Sequence, residues 1–242
     1  LVKVKERKVA VQVEYGEIPR AGRFVERVNR FVARVIVGGR EVLAHVPSSG
    51  RMAELLYPGA QVYVLAKGGA PRKTPVDLIL ARQKGVLVSV DARLPNLLVY
   101  RSLQEGRFSF FSGAVQVERE IRFGSSRMDF RIKQGKETCF LEVKSVTLVQ
   151  DGRAIFPDAP TARGTRHLAE LALARQKGYR AIALFIIQRN DAHTFSPNWA
   201  TDGEFAVGLV RAAEAGVEVY AHDCTVTLEG VSLGAEVPVV LS

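Results

Sequence analysis

Between Phe31 and Val90 the chain is cut into five short segments, "FVARVIV", "EVLAHV", "AQVYVLA", "VDLILA" and "VLVSV", separated from one another by stretches that contain glycine or proline. No other feature limits the fold as much. Segments of this length that alternate apolar with charged residues read as strands, and five of them in close succession bury one face by curling into a small closed or partly open β-barrel. Arg34, Arg40, Arg51, Arg72, Lys73, Arg82 and Lys84 are left for the outer face or the loops. Cations so placed could follow a phosphate backbone.

The charge distribution agrees with that reading. Residues 1–93 carry 17 Lys and Arg against 8 Asp and Glu, whereas residues 94–242 carry 17 of each, so the whole net charge of +9 sits on the first part of the chain. Most of these cations are arginines, whose planar fork suits phosphate oxygens. A polyanion is the natural partner, nucleic acid the commonest one, against the plainer alternative of a basic, solubilising surface. DNA and RNA both remain open at this point, because arginines on a barrel do not distinguish the two sugars.

From residue 94 the pattern changes. Pro95 and Asn96 open a short amphipathic helix that ends at Gly106, and three strand-like segments follow, "SGAVQVEREIRF", "RMDFRI" and "CFLEVKSVTLV". "TARGTRHLAELALARQKG" reads as a helix capped by Thr161 and stopped at Gly178, "YRAIALFIIQ" as a strand buried on both faces, "DGEFAVGLVRAAEAG" as a further helix, and "VEVYAHD" and "VPVVL" as final strands. The expected class is therefore α/β (α+β): a small β-barrel over residues 1–93, then an αβββαβ domain with a mixed sheet over residues 94–242.

No apolar run approaches the roughly 18 residues of a membrane span. No secretory signal is recognisable at the N-terminus, so a soluble, cytoplasmic protein is expected, with a homodimer left open. Cys139 and Cys224 stand far apart and belong to no CxxC pair, which argues against a zinc module and for small buried hydrophobes. "AKGGAPRK" has the wrong spacing for a Walker phosphate loop.

The stretch "SSRMDFRIKQGKETCFLEVKS" carries the chemistry. Gly135 at the first central position of a two-residue turn fixes a hairpin in which Asp129 faces Glu142, with Lys144 on the same side. Met128, Phe130, Ile132, Cys139, Leu141 and Val143 should then share one apolar face. Two carboxylates directly opposed repel. Either the hairpin is a ladder of ion pairs among Arg127, Asp129, Arg131, Glu142 and Lys144, or a hard cation such as Mg²⁺ or Mn²⁺ belongs between the acids. Such an ion would polarise a phosphate oxygen and acidify a bound water, and Lys144 would orient that water.

"HVPSSGRM", "LPNLL", "FGSSRMDF", "LEVKSVTL", "FPDAPTARGTRHLAEL" and "VPVVL", in that order, resemble the sugar fermentation stimulation protein family. The resemblance implies an OB-like domain joined to a restriction-endonuclease-like domain of the PD-(D/E)xK type, DNA binding, and regulation of sugar metabolism. It places the nuclease signature on Asp129, Glu142 and Lys144, with Glu120, Asp158, Arg163 and His167 in flanking motifs. Glu120 is either a third metal-binding carboxylate or a residue alternating outward with Glu118. Asp158 could cap the helical region. Arg163 and His167 either belong to a solvated stripe with Arg166 and Glu170 or, if the helix lies beside the hairpin, act on the scissile phosphate.

Overall fold

The computed structural model describes residues 11–67 and 73–242. A three-residue strand, β1 (Gln12–Glu14), precedes the barrel strands β2 (Arg20–Asn29), β3 (Val32–Val37), β4 (Arg40–His45), β5 (Gln61–Ala66), β6 (Val76–Gln83) and β7 (Val86–Ser89). Their order is β4-β3-β2-β5-β6-β7, and a parallel pairing of β4 with β6 at Ala44↔Val76 and His45↔Asp77 closes a five-stranded barrel. Val35, Val62, Val64, Leu78 and Leu55 fill it.

β2 was not among the segments read from the sequence. Only Phe24 of its ten residues is buried, so its apolar alternation is weak. It is bent by irregularities at Phe24/Glu26 and Arg27/Asn29. Gly22 permits close approach to β3, since a Cβ there would lie 2.7 Å from the Ile36 carbonyl oxygen.

The second half begins with α1 (Leu94–Gln104), followed by β8 (Gln116–Phe123), β9 (Ser126–Gln134), β10 (Glu137–Val146), β11 (Val149–Gln150), β12 (Arg153–Phe156), α2 (Ala162–Gln176), β13 (Arg180–Ile187), β14 (Thr194–Pro197), α3 (Gly203–Glu214), β15 (Glu218–Val226) and β16 (Gly230–Glu236). The main sheet runs β1-β16-β15-β13-β10-β9-β8, with β10, β13 and β15 parallel and the remaining pairs antiparallel. Its edge strand β1 comes from ahead of the barrel, although the sequence grouped that segment with the barrel. "VPVVL" is not a strand of this sheet; Val239 makes one isolated bridge to Phe195. Strands β11, β12 and β14 form a small separate sheet.

α1 covers one face of the main sheet, over Phe130, Ile132, Leu141, Ile182, Leu184 and Ile186. α2 and α3 cover the other, over Phe140, Phe185, Leu168, Leu171, Phe205 and Leu209. β13 thus contributes alternate residues to both cores, which is why its sequence is continuously apolar. Thr161 caps α2 as expected, its hydroxyl accepting from the Gly164 N–H at 3.0 Å. Both cysteines are buried and free. Among the described residues, no helix is long and apolar enough to cross a membrane.

Candidate active site

The β9–β10 hairpin has the anticipated register: Gln134 pairs with Glu137, Cys139 with Ile132 and Leu141 with Phe130, and Gly135 has φ +58°. The regular pairing stops at Leu141↔Phe130, one step before the acids. There the side chains replace the ladder. Asp129 Oδ2 accepts the Val143 N–H at 2.8 Å, and Glu142 Oε2 accepts the Asp129 N–H at 3.4 Å. On its other side Asp129 has no pairing with Glu120, which adopts φ +54°. β9 turns over at this break, so Met128 packs under α2 while Phe130 and Ile132 pack under α1. The single apolar face expected from strict alternation is therefore divided between two cores.

Each carboxylate is held from a different layer. Asp129 Oδ1 accepts from Asn96 Nδ2 of α1 at 2.7 Å. Glu142, 4% exposed, receives the Lys144 ammonium on Oε1 at 2.7 Å and a short contact from His167 Nδ1 of α2 on the same oxygen. Arg163 Nε donates to His167 Nε2 at 3.4 Å, which makes Nδ1 the nitrogen that donates to Glu142. The two acids consequently differ in charge preference. Burial, then the negative charge of Glu142, pushes Asp129 up to about 6. Burial also acts to raise Glu142, but the Lys144 ammonium and His167 outweigh it and hold this carboxyl below its ordinary range.

Asp129, Glu142, Lys144 and Arg163 line one polar cleft of about 340 Å³ together with Arg30, Ser48, Ser49 and Met52 of the barrel. Asp158 does not cap α2; its Oδ2 accepts the Met52 N–H at 3.0 Å and joins the two halves of the chain. The Arg27 guanidinium fixes the barrel loop by donating to the carbonyls of Ser48, Gly50 and Arg51 at 2.9, 2.8 and 3.1 Å.

The other anticipated residues lie elsewhere. Glu120 is exposed and pairs with Arg127 at 2.7 Å, outside the cleft lining. His167 is buried behind Glu142, not presented to a phosphate. Glu170 is no solvated stripe residue: it accepts from the Ser125 N–H at 3.0 Å and hydroxyl at 2.6 Å. On the barrel, Arg34 is engaged by Glu26 and Glu41 at 3.0 and 2.7 Å, and Arg82 by the Tyr63 hydroxyl at 3.0 Å and the Gly85 carbonyl at 2.8 Å. Arg40, Arg51, Lys73 and Lys84 are exposed, and Arg72 lies outside the described residues. None of these described cations lines the cleft; Arg30, which the sequence did not single out, does. Asn96, read only as a helix opener, proves to be a partner of Asp129.

The donor set is two carboxylates facing a wet, polar space, which suits a hard, oxygen-seeking divalent ion that keeps several waters. Among the described residues there is no cluster of three or more His, Cys, Asp or Glu arranged as a metal cage. The elevated Asp129 value fits the same picture, because a cation between the acids would relieve their repulsion.

Two family models match the chain in succession. Residues 25–90 match the family model described as the SfsA N-terminal OB domain, and residues 93–230 that described as the sugar fermentation stimulation protein RE domain. The sugar fermentation stimulation protein homolog of Desulforamulus reducens is 52% identical over 220 residues, covering 90% of this chain and 91% of that protein. The homolog of Moorella thermoacetica is 48% identical over 220 residues, covering 90% and 95%. The solved structure of Pyrococcus furiosus SfsA in complex with Ca²⁺ superposes with a TM-score of 0.88 at 29% identity, covering 96% of this chain and all of that one. An OB-like barrel followed by an αβββαβ domain, matched over nearly its whole length, makes this chain a member of the sugar fermentation stimulation protein family.

Proposed function

We propose that the protein is a divalent-metal-dependent phosphodiester hydrolase acting on DNA, with residues 94–242 carrying the chemistry and the basic barrel of residues 1–93 holding the phosphate backbone. One observation carries this reading: two acids with opposite charge preference, and a lysine, share the floor of a single polar cleft between the two halves. Asp129 and Glu142 would hold Mg²⁺ or Mn²⁺, and such an ion, when bound, supplies neutralising charge at the phosphate and acidifies a water. Asn96 and the Val143 N–H orient Asp129, while His167 fixes the rotamer of Glu142. Lys144 retains ammonium protons beyond the one it gives Glu142, positioned to meet negative charge developing on the phosphate. Arg163, exposed at the cleft, offers a guanidinium to a neighbouring phosphate oxygen. The Ca²⁺ bound by the Pyrococcus furiosus relative supports a hard-cation site.

The test is nicking of supercoiled plasmid with Mg²⁺ or Mn²⁺, which should be abolished by EDTA and by Glu142→Gln. Equal nicking by that variant would refute the assignment. A second reading, a non-catalytic DNA-binding regulator of sugar metabolism genes, is favoured by one feature: Glu142 already has a cation, Lys144, and a donor, His167, without any metal. It predicts salt-sensitive DNA binding with no nicking in either metal.

A further inference from the structure

We infer that the cleft takes an unpaired strand, one nucleotide at a time, and that the barrel supplies the wall that recognises it. The inference deepens the nucleic-acid reading above and rests on it. The acids share the lining of the cleft with Arg30, Ser48 and Ser49 of the barrel. The space of about 340 Å³ between them is at the small end of the roughly 300–1,000 Å³ of ligand sites. It accommodates a sugar and a base. Two paired strands would have to enter together.

The wall is not free to swing aside. Met52 is tied to Asp158 at 3.0 Å, and Arg27 ties down three carbonyls of the same loop. At Gly50 the approach is so close that a Cβ would lie 2.7 Å from Asp158 Oδ2. A duplex can therefore bring a phosphate to Asp129 and Glu142 only by unpairing there, a cost a free strand does not carry.

Next to the cleft residue Arg30 lies the surface an unpaired strand needs. The Arg30 guanidinium carbon lies 5.8 Å from the centroid of Phe31, and Phe31 is 46% exposed at the turn between β2 and β3. That turn is held by the Phe31 N–H on Asn29 Oδ1 at 2.9 Å and by the Val46 N–H on the Phe31 carbonyl at 2.8 Å. An exposed phenyl ring alone is ordinary. Here it adjoins the guanidinium of Arg30, a residue of the cleft lining, so a base stacked on Phe31 would have its phosphate beside Arg30, the combination by which unpaired strands are held.

The full chain is tested by fluorescence anisotropy in Ca²⁺, with labelled oligothymidylate alone and annealed to oligoadenylate. The single strand should bind at least tenfold more tightly. Phe31→Ala should lower its affinity roughly tenfold and Phe31→Tyr restore it, while Tyr57→Ala, at another exposed ring of the barrel, should change nothing. Arg30→Ala should reduce the salt slope by about 0.7, one phosphate contact on a single strand. Equal binding of duplex and single strand, or an unaffected Phe31→Ala with unchanged thermal midpoint, overturns this inference and leaves the hydrolase reading standing. Failure to bind either nucleic acid overturns both.

Discussion

Without divalent ions, Asp129→Asn should make the protein more stable at pH 8 and leave it nearly unchanged at pH 4. Burial and then Glu142 raise the Asp129 carboxyl to about 6 in the folded protein, against roughly 4 in an unfolded chain. A carboxyl with a raised folded value favours folding in its protonated form, so its contribution is fully present below about pH 4 and is lost as pH rises through about 6. Two units at about 1.4 kcal/mol each give a ceiling near 3 kcal/mol at pH 8, and the same relation gives about 0.5 kcal/mol at pH 4. Asparagine keeps an oxygen for the Val143 N–H, and an amide turn at Asn96 accommodates the new NH₂, so little is lost in exchange. Glu142 has the opposite sign, its lowered value giving stability above its unfolded range that is lost in acid. It is present in both proteins and largely cancels. Urea denaturation in EDTA at pH 4, 6 and 8 measures the difference, with an unchanged m-value showing that the same transition is compared. Saturating Mg²⁺ or Mn²⁺ should then reverse the order, since an ion at a hundred times its Kd stabilises the parent by about 2.7 kcal/mol and the variant far less. A variant less stable by the same amount at every pH would refute the reasoning: Asp129 would then act simply as a backbone acceptor.

Three further outcomes are expected. His167→Ala should cost about 2–3 kcal/mol in urea denaturation, most of it above pH 5 where Glu142 is ionised, and should move the acid limb of the nicking profile to higher pH, because a buried carboxylate loses a donor. Thr161→Ala, which removes the cap of α2, should cost about 1 kcal/mol by thermal melting and leave nicking unchanged. Gly22→Ala should destabilise by about 1–3 kcal/mol, since its Cβ would meet the Ile36 carbonyl oxygen at 2.7 Å; a neutral result would mean that β2 and β3 can separate without loss.

What the sequence revealed was what local chemistry determines. Gly135 at φ +58° sets the hairpin register, Thr161 starts α2, and the unbroken apolar run of β13 marks a strand covered on both faces. The misses are long-range. β1 lies in a sheet with β16, whose partner residues are more than 200 positions away, so no local pattern announces it. β2 is defined by its neighbours, with Phe24 its one buried residue. Strict alternation placed Met128 with Phe130, but the ladder break at Asp129 separates them. Among the site residues, Asn96 and His167 arrive from two helices on opposite faces of the sheet, and spacing along the chain carries no sign of that convergence. Glu120 alternated correctly with Glu118, but its backbone turn gives it to Arg127.

The fate of the neighbouring cations bears on the choice between ornament and site. β9 places Arg127, Arg131 and Lys133 around Asp129 at two-residue intervals, where they could have neutralised it had the hairpin been a ladder of ion pairs. All three instead reach across to β8, Arg127 to Glu120 and both Arg131 and Lys133 to Glu118. Asp129 is left with two uncharged donors, a like charge beside it and, in its favour, only the unbonded charge of Lys144, which burial and Glu142 outweigh. Glu142 has a cation, Lys144, but only on the oxygen it shares with His167. A sheet that needed only a stable surface could remove the repulsion with asparagine at residue 129. Retaining an acid that is costly to ionise, and opening both ladders to turn it toward a cleft, makes physical sense where a positive ion completes the set.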